Sequence, residues 1–130
     1  MPMTPDEALA DLEQISVQIR SAVICDLAGT VAAATVPQPA ADRLARLASE
    51  IWESAEVARR ELGRDALSQL ELTTTEGSVF VVRDSDRTML ATTGVNPTVG
   101  LVFYDLKSCL HALSKDAGTA AGEEDPDGSP

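Results

Sequence analysis

Aromatic residues make up only 3% of this 130-residue chain, so its core cannot rest on large rings. It has to come from Ala, Val, Leu and Ile, which suits helices packed closely on a thin sheet. Histidine occurs once and cysteine twice, with no CxxC pair, which leaves too few ligands for a structural metal site; no metal is expected. Cys25 and Cys109 stand in apolar contexts and read as reduced packing residues. Cations are scarce as well, with 10 Lys and Arg against 21 Asp and Glu and a net charge of −11. Part of that excess sits near the end, where Asp116, Glu123, Glu124, Asp125 and Asp127 face Lys115, yet the remainder is still acidic. Such a chain repels phosphate backbones and anionic membrane surfaces, and nucleic acid is not an expected partner. Apolar runs such as Val79 to Val82 are too short to cross a bilayer, and neither end reads as a charged-then-apolar leader. No membrane insertion and a cytoplasmic location are therefore expected.

What is present is regular. Thr4-Pro5-Asp6-Glu7 is a capping box that opens a helix carrying Leu9, Leu12 and Ile15 at helical spacing. Ala22 to Cys25, apolar at every position, predicts a strand covered on both faces. Asp26-Leu27-Ala28-Gly29 supplies the turn, and Thr30 to Val36 the return strand. From Ala40 to Leu62 runs a long helix closed by Gly63, with one stripe of Leu44, Leu47, Ile51, Ala58 and Leu62 and a second of Ala41, Ala45, Ala48, Trp52 and Ala55. The Leu-rich stripe is expected to face the sheet, which leaves the Ala stripe with Trp52 for another helix. Three strands are predicted next, near Ala66 to Thr75, Ser78 to Asp84 and Thr88 to Gly94. Leu70 and Leu72 alternate with polar residues in the first of these, as in an edge strand. Asn96 and Pro97 predict the start of a last amphipathic helix ending near Ser114. The order αββαβββα implies an α/β (α+β) fold: a five-stranded antiparallel sheet with the long helix on one face and the terminal helices on the other.

Three segments in this order resemble the Roadblock family, which includes dynein light chains of the roadblock type and bacterial regulators encoded beside Ras-like GTPases. Val23-Ile24-Cys25-Asp26-Leu27-Ala28-Gly29 looks like its first hairpin, Ala41-Asp42-Arg43-Leu44-Ala45-Arg46-Leu47-Ala48 like its central helix, and Gly100-Leu101-Val102-Phe103-Tyr104-Asp105-Leu106 like the start of its last helix. The resemblance implies a profilin-like Roadblock domain over residues 1–114, followed by an acidic tail over 115–130 that is expected to be disordered. It also implies a homodimer, joined through central helices and an edge strand, that binds a Ras-like small GTPase and regulates or scaffolds it. The residues expected at the dimer or partner interface are Ala41, Ala45, Ala48, Trp52, Ala55, Leu70 and Leu72.

Chemistry finds little footing. There is no Gly-x-x-x-x-Gly-Lys-Ser/Thr phosphate loop, so the nucleotide belongs to a partner and no cofactor is expected. His111 lies among Leu110, Ala112 and Leu113 without a nucleophile's signature, Asp26, Asp84 and Asp86 read as turn acceptors, and Ser21 and Ser78 lack a nucleophile elbow. Arg46, Arg59, Arg60, Arg64 and Arg87 are available as an arginine finger, but no motif singles one out. No catalytic residue is expected and the chain reads as a non-enzyme. The alternative function is a small-molecule-sensing or scaffold domain of the same fold, against which dense Ala and β-branched packing speaks, since a sensor needs a roomy pocket.

Overall fold

The computed structural model describes residues 3–122, with side chains through Leu113. The elements run α1 (Pro5–Ile15), β1 (Ile19–Asp26), β2 (Val31–Ala34), α2 (Ala40–Glu61), β3 (Gln69–Thr74), β4 (Gly77–Arg83), β5 (Arg87–Thr93) and α3 (Val99–Gly122). Local chemistry sets their ends. Thr4 Oγ1 accepts from the Glu7 amide at 3.1 Å while Glu7 Oε1 accepts from the Thr4 amide at 2.9 Å, which starts α1. After α2, the Gly63 amide donates to the Arg60 carbonyl and the Arg64 amide to the Arg59 carbonyl; Gly63, at φ 68°, adopts the left-handed conformation this closure requires. In the β1–β2 turn Asp26 Oδ1 accepts from the Ala28 and Thr30 amides at 2.9 Å each, and before β5 Asp84 Oδ1 accepts from the Asp86 and Arg87 amides.

All strand pairs are antiparallel, in the spatial order β2-β1-β5-β4-β3. The β1–β2 hairpin lies at one end, α2 crosses the sheet, and the β3–β4–β5 meander returns so that β5 pairs with β1. The period-2 alternation of strands then sorts side chains to two faces. Ala22, Ile24, Phe80, Val82, Met89 and Ala91 pack beneath α1 and α3, with Phe80 and Phe103 edge to face at 5.0 Å. Val23, Cys25, Val81 and Leu90 pack beneath α2 with Ala45, Ala48 and Trp52. The expected layers, the long helix on one face and the terminal helices on the other, are those observed.

Three details differ from expectation. The sheet-facing side of α2 is the alanine stripe: Ala41, Ala45, Ala48 and Trp52 are all buried within one chain, whereas Leu47 is 47% exposed and Leu62 71%. Alanines let the helix backbone lie close to the strands, and the larger leucines of the other stripe fit only beside that contact. Asn96 is not the cap of α3 but takes a positive φ of 56°, and the helix begins at Val99. Finally, α3 runs past Ser114 to Gly122, through alanines that favour helix; residues 123–130 of the expected tail lie outside the described residues.

Candidate interaction surface

The α2 side of the sheet is only partly covered, because α2 packs chiefly on β5, β1 and β2. Register places Leu70 opposite Val81 and Leu72 opposite Val79, so both leucines of β3 project to the α2 side, Leu70 packed at the margin of the core under α2 and Leu72 outside it. Leu70 and Val79 are half-buried and Leu72 is exposed. Beside them, α2 presents Leu44 and Ile51, half-buried, and the exposed Leu47. The β3 strand forms the sheet edge, with backbone groups on its outer side unpaired within the sheet. An apolar helix flank, an apolar strand face and an open edge thus lie on one side of the molecule.

Of the residues expected at the interface, Leu70 and Leu72 lie on this surface and Ala55 is half-buried, while Ala41, Ala45, Ala48 and Trp52 sit under α2 and present nothing to a partner. Trp52 is held from above by Arg83, whose guanidinium carbon stands 5.3 Å from the ring centroid. Arg83 Nε donates to Thr88 Oγ1 at 2.8 Å and Nη1 reaches Glu53 at 3.5 Å. Sequence reasoning passed over Arg83; its one signal was a cation ending an otherwise apolar strand. Two of the candidate arginines have structural partners. Arg59 and Arg60 pair with Glu56 at 2.7 and 3.8 Å, and the Arg59 hydrogen bond holds the Glu56 carboxyl below its ordinary value. Arg46 forms no ion pair among the described residues, contrary to the helical pairing its spacing suggests.

Burial pushes the Cys25 and Cys109 thiols up to about 11, which keeps both protonated and unreactive at neutral pH. Groups of three residues able to hold a metal ion are not found among the described residues, nor is a helix long and apolar enough to cross a membrane. One open groove of about 1040 Å³ runs between β4 and α3, lined by Leu67, Arg83, Tyr104, Lys107, Leu110 and His111, a larger space than dense alanine packing led us to expect.

The Roadblock/LC7 domain model matches residues 6–93. Among curated proteins none matches the chain. Among solved structures, a Roadblock/LC7 domain from Streptomyces avermitilis superposes with a TM-score of 0.79 at 19% identity, covering 86% of this chain and 96% of that one. A gliding protein MglB from Thermus thermophilus gives 0.69 at 20% identity, covering 88% and 96%, and an MglB with a tetrameric arrangement gives 0.71 at 20%, covering 88% and 95%. The αββαβββα order, the two-sided core and the span of the domain match agree: the chain belongs to the Roadblock/LC7 domain family.

Proposed function

We propose that this chain is a non-catalytic, cytoplasmic homodimer that binds a Ras-like small GTPase and regulates or scaffolds it in bacterial signalling. The observation that carries the reading is the apolar surface of Leu44, Leu47 and Ile51 on α2 beside Leu70 and Leu72 on the free β3 edge. A second copy related by a two-fold axis can bury the same residues against themselves and extend the sheet through β3, a self-complementary contact of the kind closed dimers use. Family membership supports the GTPase partner, and the tetrameric MglB of the same fold supports self-association.

The test is a pull-down with the tagged chain from its native cytosol, supplied with GTP, GDP or a slowly hydrolysed analogue, with captured proteins identified by mass spectrometry. A Ras-like GTPase whose recovery changes with nucleotide is expected; its absence under every nucleotide would sink the reading. The open groove between β4 and α3 favours a second reading, a small-molecule sensor. Native mass spectrometry of the purified chain discriminates, because a sensor retains a bound compound of defined mass.

A further inference from the structure

The open groove of about 1040 Å³ has one wall in α3 and the other at the end of the β3–β4 ladder. Tyr104, Lys107, Ser108 and His111 recur at helical spacing, so they form one flank of α3, and all four border the groove. Across from them stand Leu67 and Ser68, just ahead of β3, and Arg83, where β4 ends. Pockets for small organic molecules measure roughly 300–1,000 Å³, so the space suits such a molecule and far exceeds a lone ion.

The nitrogen groups on its walls are short of acceptors. Lys107 Nζ lies 5.9 Å from the centroid of the Phe103 ring, which itself meets Phe80 of β4, and it forms no ion pair among the described residues. His111 has no hydrogen-bond or ion-pair partner among the described residues. Arg83 donates from Nε to Thr88 and reaches Glu53 with Nη1, but its Nη2 is buried and has no partner. A buried donor left open calls for an acceptor to complete it. Asp84, the acid on this lining, is engaged in its turn, where Oδ1 accepts from the Asp86 and Arg87 amides. The groove is therefore locally cationic on a chain of net charge −11.

These surroundings narrow the ligand. An anionic head is called for, and one negative charge suits the site better than two, because a second would meet Asp84 and the field of an acidic chain. The body is met by Leu67, Val82 and Leu110 and by the ring of Tyr104, which is 68% exposed and offers a face for stacking. We propose that the groove between β4 and α3 binds a small aromatic carboxylate, with its head held by Lys107, His111 and Arg83 and its ring laid on Tyr104. Such binding rests on the sensing reading of this groove and gives it a ligand class.

The test titrates the full chain, labelled with 15N, with benzoate, phenylacetate and indole-3-acetate, each beside its neutral primary amide, and with inorganic phosphate. At least one acid should move the amide signals of Ser68, Tyr104, Lys107 and His111 to saturation, about tenfold or more tightly than its amide, the scale of one charge-assisted bond. Lys107→Met, at an exposed position, keeps the apolar stem and should weaken that acid about tenfold. His111→Gln, also exposed, is the second variant and should weaken it to a smaller degree. Equal binding of acids and amides, tighter binding of phosphate, signal changes confined to other surfaces, no saturation by any of the acids, or full affinity in Lys107→Met would overturn the proposal. A neutral compound retained in native mass spectrometry would then leave the sensing reading standing, whereas an empty chain that neither acids nor amides saturate would end both.

Discussion

At the scale of single residues, Trp52 carries the clearest consequence. It is 3% exposed, packs on Val23, Val81 and Leu90, and is covered by Arg83. Trp52→Ala is expected to cost about 3–5 kcal/mol of stability by leaving a cavity under α2; urea unfolding followed by circular dichroism measures it, and a loss below about 1 kcal/mol would contradict the burial. The two thiols make a pH prediction. Their folded pKa lies near 11 against 9.0 unperturbed, so between those values the folded state binds more protons than the unfolded one. Stability is therefore fully present below about pH 9 and falls as pH rises towards 11. A double Cys25→Ala, Cys109→Ala variant should flatten that alkaline decline, read from melting temperatures across the range. Backbone geometry is as strict at Gly77, where φ is 156° and an added Cβ would run into the Thr93 carbonyl of the neighbouring strand. Gly77→Ala is thus expected to lower the melting temperature clearly, whereas Gly100→Ala, with open space around it, should not.

The elements show how much of the fold was legible in the sequence and where legibility ended. Capping residues, turn aspartates and strand alternation are local signals, so the element order, the hairpins and the edge position of β3 could be read directly. The facing of α2 could not. Its sequence carries two apolar stripes of similar length, and periodicity counts them equally; only the volume available between helix and sheet decides in favour of Ala45 and Ala48 over Leu44 and Leu47. Trp52 misled for the same reason, since one large aromatic suits an interface centre or a core end equally well until the strands beneath are known. The corrected facing turns into a prediction for α2 and β3 together. Leu47→Asp with Leu72→Asp changes two exposed side chains and should leave thermal stability of the single chain within about 0.5 kcal/mol. The same pair places carboxylates in the proposed self-contact, so light scattering after size exclusion should report a dimer for the parent and a monomer for the variant.

For the whole molecule, charge and apolar surface act in opposite directions. Two copies carrying −11 each repel, and the α2–β3 surface that is proposed to join them is apolar. Raising salt from about 0.1 M to about 1 M shortens the screening length from about 10 Å to about 3 Å, which removes the repulsion and leaves the apolar contact intact. Self-association should therefore hold or tighten with salt, as measured by sedimentation velocity. Were self-association to weaken with salt instead, a polar contact would be holding the copies together, and the apolar flank of α2 would not be the dimer interface.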